Sequence, residues 1–137
     1  MEIDLARARA FLESRRQGIL ATIKRDGRPQ LSNVLFVLDP DDDRIKVSVT
    51  QTRAKTRNLR RDPRASLHVA GKDFWEFLVV EGQVRLVEGE GVLPALRDYY
   101  RKARGEHPDW EEYDAAMVRD QRLLLSISLD RAYGQLA

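Results

Sequence analysis

The sequence predicts a mainly β fold, an antiparallel barrel of six strands with helices at its periphery. Three observations carry that expectation. Short segments alternate apolar and polar residues along most of the chain. Tight turns join several of them, and Asp26-Gly27 is the strongest hairpin signal among these. Helical patterns interrupt the strands at only three places, whereas a doubly wound parallel sheet needs regular strand–helix alternation. A closed or split barrel also leaves few sheet edges exposed. The 137 residues suit a single domain, 1–137, with a sizeable core, and contain no internal repeat or linker.

Each element has a local reason. Asp4 is placed to cap a helix over 5–16, with Leu5, Ala8, Phe11 and Leu12 on one face. Gly18 ends it, and 18–23 reads as a buried strand. The turn at 24–27 leads into a second strand over 30–38, and the acidic turn Asp39-Pro40-Asp41-Asp42-Asp43 follows. Ile45, Val47 and Val49 alternate with polar residues in a third strand, 44–50. A short helix over 53–61 stops at Asp62-Pro63, because the residue before proline is pushed out of helical geometry. Ala65, Leu67 and Val69 mark a fourth strand, and 75–87 a longer fifth. Helices over 92–103 and 109–121 flank Gly105 and Pro108, and the last strand is 123–129.

Composition excludes several chemistries. With no cysteine there is no disulfide framework, zinc-thiolate site, iron–sulfur cluster or cysteine nucleophile. The two histidines, His68 and His107, are far apart, so no histidine metal site is expected. No apolar run approaches the roughly 18 residues of a membrane helix. The acidic start, Met1-Glu2-Ile3-Asp4, is unlike a signal peptide, so a cytoplasmic protein without membrane partners is expected. The net charge of only +2 argues against a dedicated nucleic-acid binder.

That average hides one basic segment, 53–64. It holds six basic residues and Asp62, a net +5, which leaves −3 on the rest of the chain. It begins where a strand passes into a helix, with Thr52 placed as the N-cap. Free N–H groups of a first helical turn favour an anion. Acidic residues usually occupy that turn, yet here it carries Arg53 and Lys55, which the helix dipole disfavours unless an external anion is present. Arginine grips phosphate through two N–H groups and lysine as a point charge. Asn58 adds a neutral donor and acceptor one turn on. The anion can belong to a nucleotide-like cofactor, a phosphorylated metabolite or a nucleic-acid backbone. A long polyanion is the weakest of these, because no aromatic residue interleaves the segment.

A second candidate lies on the 30–38 strand. Gln30 and Ser32 share one face and Asn33 the other, and with Val34 they suit a groove whose main chain reads a flat heteroaromatic ligand. Phe74 and Trp75 fit either the core or a wall of that groove.

The stretches Gly18-Ile19-Leu20-Ala21-Thr22-Ile23, Asp26-Gly27-Arg28-Pro29-Gln30-Leu31-Ser32-Asn33 and 53–64 together resemble the pyridoxamine-phosphate-oxidase-like flavin/deazaflavin oxidoreductases, in particular their coenzyme F420-dependent branch. Gly105-Glu106-His107-Pro108-Asp109-Trp110, Tyr113 and Tyr133-Gly134 resemble it more weakly. The resemblance implies a six-stranded split β-barrel that forms a homodimer, with a cofactor in each of two interface clefts. It places the cofactor's ribityl phosphate against Lys55, with Arg53, Thr56 and Asn58 beside it. The ring system lies along Gln30, Ser32, Asn33 and Val34; Ser48 faces the same cleft, and Trp75 comes near it, often from the partner subunit.

The function expected is therefore an oxidoreductase in which reduced F420 passes a hydride to a small organic acceptor such as an enone, a quinone or a tetrapyrrole-like molecule. FMN is the alternative cofactor, since both carry a ribityl phosphate. A non-catalytic carrier or sensor of either cofactor is the alternative role. Arg28 or Arg57 offers countercharge to the acidic tail of F420. No triad, carboxylate pair or zinc motif is present, no metal is expected, and no side chain is assigned as catalytic. The pyridoxamine-phosphate oxidase activity itself is not expected, because the C-terminal residues it needs are not identifiable.

Overall fold

The architecture, described for residues 1–137 in a computed structural model, is one curled antiparallel sheet of eight strands with four α-helices around it. Asp4 caps α1 (Leu5–Leu12), accepting from the Arg7 N–H at 2.9 Å. The helix stops short of residue 16. The chain must reverse there to bring Gln17 opposite Leu35, and the Arg16 carbonyl takes the Phe36 N–H at 2.7 Å. β1 (Gln17–Ile23) and β2 (Pro29–Leu35) form the hairpin predicted around Gly27, whose φ of 90° is easy only for glycine.

The expected strand over 30–38 divides at Phe36. β2 pairs with β1, whereas β3 (Val37–Asp39) pairs with β4 (Arg44–Thr50) in the other half of the sheet. Phe36 is fully buried, which makes it the pivot between the halves. β5 (Arg64–Ala70) and β6 (Phe77–Val87) follow. β6 begins two residues later than the pattern suggests. Asp73 accepts from the N–H groups of Trp75 and Glu76 at 2.9 and 3.0 Å, and this turn throws Phe74 and Trp75 into solvent.

β7 (Arg122–Ile127) ends before residue 129, because residues 128–130 cross β6 at Gly82, where any Cβ would run into the Ser128 carbonyl. β8 (Arg131–Gln135) then pairs with the first half of β6, and it has no counterpart in the sequence expectation. Only Ala132 and Gly134 point inward, which gives alternation too faint to mark a strand. The strand order is β2-β1-β5-β6-β7-β4-β3, with β8 also on β6. The six-stranded expectation is thus corrected to eight strands. The mainly β, antiparallel split-barrel class stands.

Three helices complete the fold: α2 (Ala54–Arg61), α3 (Val92–Arg104) and α4 (Trp110–Arg119). Leu20, Phe36, Ile45, Leu67, Leu78 and Leu125 form the middle of the core inside the curl. Leu96, Tyr113 and Leu124 make a smaller cluster that seats α3 and α4 against β7. The outer face of the other half is unusually apolar: Ile19, Leu31, Leu35 and Tyr133 are exposed, and Phe77 stacks on His68 at 5.5 Å. No helix is long and apolar enough to cross a membrane.

Candidate functional site

β2 has a single ladder partner, so its other edge offers unpaired main-chain groups. That edge faces β4 across the split, and between them opens a cavity of about 800 Å3, within the size range of small-molecule sites. β2 contributes Ser32, Asn33 and Val34, and β4 contributes Ser48, Val49 and Thr50. Arg53 and Lys55 enter from the start of α2. Tyr99, Tyr100 and Arg104 of α3 and Tyr113 and Met117 of α4 close the far side, and Arg16 and Arg122 complete the wall.

Five of these lining side chains are cationic (Arg16, Arg53, Lys55, Arg104 and Arg122), and none is acidic. No carboxylate lies within ion-pair distance of any of the five, whereas Arg60, for example, is held by both oxygens of Glu88 at 2.8 and 2.9 Å. Arg122 donates from Nη1 to the Ser48 carbonyl at 3.3 Å, but its Nε is buried without a partner. Buried donors are normally satisfied, so an orphaned guanidinium N–H on the wall marks a place for an acceptor.

The electrostatics agree. Burial pushes the Lys55 ammonium below the ordinary lysine pKa, and repulsion from Arg53 and Arg122 adds to it. Burial raises the Tyr99 phenol, against the lowering effect of a Ser48 backbone hydrogen bond and of Arg104, Arg122 and Arg16. The Tyr99 hydroxyl donates to the Leu35 carbonyl at 3.1 Å. Tyr113, pushed up to about 12 chiefly by burial, donates to the Leu96 carbonyl at 2.9 Å and stays neutral.

Of the residues expected from sequence, the cavity brings together Ser32, Asn33, Val34, Ser48, Arg53 and Lys55. Four others lie outside its lining. Gln30 sits one ladder step beyond, opposite Thr22. Thr56 is buried and donates to the Thr50 carbonyl at 2.9 Å. Asn58, also buried, donates to Thr22 Oγ1 and accepts from Arg61, both at 3.1 Å. These two fasten α2 to the sheet, so that its first turn is presented to the cavity. Trp75 is 69% exposed on its turn.

The N-cap expectation is corrected. Arg53, not Thr52, occupies that position, and no side chain caps the helix, because Arg53 itself holds the extended cap conformation. Its first-turn N–H groups therefore lack a side-chain acceptor of their own. The rest of the basic segment is engaged elsewhere: Arg57 with the Thr52 carbonyl, Arg60 with Glu88, Arg61 with the Ile23 carbonyl and Asn58, and Arg64 with Asp62. Only Arg53 and Lys55 of the six reach the cavity.

Sequence reasoning missed Arg16, Tyr99, Tyr100, Arg104, Tyr113, Met117 and Arg122. The adjacent tyrosines and Arg104 on one helix were a usable signal. Nothing local marks Arg16 or Arg122, which the curl brings in from distant ends of strands. Elsewhere, Asp39, Asp41 and Asp98 converge on the Lys102 ammonium at 2.6–2.8 Å, so that carboxylate cluster already holds a cation of the chain.

A family model described as pyridoxamine 5'-phosphate oxidase matches residues 5–135. A conserved hypothetical protein from Mycobacterium tuberculosis is 26% identical with a TM-score of 0.74, over 95% of this chain and 82% of that one. An F420 reductase is 22% identical with a TM-score of 0.70, over 93% of this chain and 96% of its own. The heme storage protein HutZ from Vibrio cholerae is 18% identical with a TM-score of 0.71, over 95% and 93%. At these last two identities the likeness is one of fold.

Proposed function

The chain belongs to the pyridoxamine 5'-phosphate oxidase family, and on that premise we propose that it is an oxidoreductase using reduced F420, with FMN as the alternative cofactor. The observation that carries this reading is the cavity of about 800 Å3 walled by five cations without acidic partners. A phosphorylated, partly aromatic ligand answers both its charge and its tyrosine-lined interior. When bound, the reduced cofactor supplies a hydride to a small organic acceptor. Arg53 and Lys55 hold its phosphate, and the free edge of β2 at Ser32, Asn33 and Val34 seats its ring beside Ser48. Thr56 and Asn58 act through α2 by fixing the angle at which Arg53 and Lys55 enter, and Gln30 extends the β2 edge.

The same reading includes a homodimer. Asn33, Val34 and Leu35 border the cavity and also a shallow hollow with Ile19 and His68 on the apolar outer face. A second copy seated on that face buries Ile19, Leu31 and Leu35, closes the mouth of the cleft and can lend it Trp75.

The test is a fluorescence titration of purified protein with F420 and with FMN. Saturable binding of one is expected, followed by oxidation of the reduced cofactor in the presence of an enone, quinone or tetrapyrrole acceptor. Failure to bind either overturns the proposal. Tight binding with no oxidation across the acceptor panel assigns the chain to carriage or sensing instead. His68 lines the adjoining hollow on the outer face rather than the cavity itself.

A further inference from the structure

The five cations of the cavity do not form one cluster. Lys55 is repelled by Arg53 and Arg122, whereas the Tyr99 hydroxyl is surrounded by Arg104, Arg122 and Arg16. Arg122 stands between two poles. Their anchors lie at opposite ends of β2. α2 is tied to the sheet where Asn58 meets Thr22, opposite Gln30, and Tyr99 is tied to Leu35. Five residues of extended strand separate those anchors by about 17 Å. The two groups of cations thus enter the cavity from different ends of β2, and Arg122, held on the Ser48 carbonyl, is common to both.

Resting on the cofactor reading above, we propose that the Tyr99 end of the cavity is a second anion site, built from Arg16, Arg104 and Arg122, which takes the carboxylate of an acidic acceptor substrate. Two guanidinium edges there are open to it. The Arg122 Nε is buried and unpartnered, and Arg104 makes no hydrogen bond or ion pair within the chain. Arg16 uses Nη1 on the Glu13 and Arg15 carbonyls at 3.0 and 2.8 Å, which fixes the guanidinium in place while leaving its other edge free. An acidic acceptor and the acidic tail of the cofactor share this chemistry, and the effect of Arg104 on cofactor affinity tells the two apart. With an acceptor as the source, the site prefers an acid, such as an α,β-unsaturated acid, over its neutral ester.

The experiment is calorimetric titration of the cofactor-loaded protein with crotonate and cinnamate and with their methyl esters. Saturable binding of an acid is expected, with its ester at least tenfold weaker. Arg104→Gln is expected to weaken acid binding at least tenfold and to weaken cofactor binding by a smaller factor. Equal binding of acid and ester, or no binding of either acid, overturns the second site. So does an Arg104→Gln variant that loses cofactor affinity and keeps acid binding, since the pole then serves the cofactor. Absence of cofactor binding in the unmodified protein is a separate result, which defeats the oxidoreductase reading itself.

Discussion

Replacing Lys55 with alanine should weaken cofactor binding and, at the same time, leave the ligand-free protein as stable or more so. The two signs come from the same geometry. Lys55 is partly buried, with Arg53 and Arg122 as charged neighbours and no carboxylate to offset them. In the empty cavity its charge is disfavoured, so the folded chain holds that proton less tightly than the unfolded chain does. Its cost is felt below the depressed pKa and disappears as pH rises toward the ordinary lysine value. A bound phosphate reverses the balance by supplying the missing anion. A hydrogen bond to a charged group is worth about 1.5–3 kcal/mol, or roughly 10- to 150-fold in affinity. Fluorescence titration at neutral pH measures that loss, and thermal melts of the ligand-free proteins measure the other sign. The unmodified protein should also lose affinity as pH climbs, below the range expected of a free lysine, and the alanine variant should not. An unchanged dissociation constant, or a ligand-free variant that melts several degrees lower, would refute the reasoning.

Three further outcomes are expected. Leu125→Ala, at a fully buried position in the main core, should cost about 2–5 kcal/mol in urea unfolding. Leu31→Glu, on the exposed face of β2, should convert a dimer into a monomer by sedimentation; an unchanged mass would remove that face as the interface. Asp39→Asn should destabilise by about 3 kcal/mol, because it leaves Lys46 and Lys102 without the buried carboxylate they share at 3.0 and 2.8 Å. Burial raises the Asp39 pKa, but the two lysines and the Asp41 N–H outweigh it, and the net value is lowered. Its stabilisation is therefore present above the ordinary aspartate value and lost as pH falls through the depressed one, a limb that unfolding between pH 2 and 6 should show flattened in the variant.

The sequence made the fold class and one basic end of the cavity legible, because both are written locally. Alternation marks strands such as Arg44–Thr50, and a charge cluster set against the helix dipole marks Arg53 and Lys55. What it hid is long-range. The 30–38 segment runs without a glycine or proline to break it, and only the curl of the sheet decides that Phe36 is a pivot. Thr56 and Asn58 have the chemistry of ligand-binding residues, yet a helix turns them a hundred degrees per residue, and the sheet takes them before a ligand can. Arg16 and Arg122 carry no local mark, since their meaning comes from the ends of strands that meet across the split.

Charge is divided most sharply on α3, and that division ties stability to the site. Asp98 and Lys102, one turn apart, join Asp39 and Asp41 in a network where the charges are paired. Tyr99 and Ala103, each adjacent to one of those residues, and Arg104, one position further on, are rotated around the helix and line the cavity, where the cations are left unpaired. A helix is rigid over this length, so the paired face sets the position of the unpaired one. Asp39 touches no part of the cavity, yet loosening its grip on Lys102 should let α3 rotate and should misplace Tyr99 and Arg104 together. The Asp39→Asn protein should therefore lose affinity for unsaturated acids more than for the cofactor, if the phosphate is held from α2 as proposed. Equal losses for both ligands would mean that the variant is merely less folded, and preserved acid binding would mean that α3 is positioned by its apolar contacts alone.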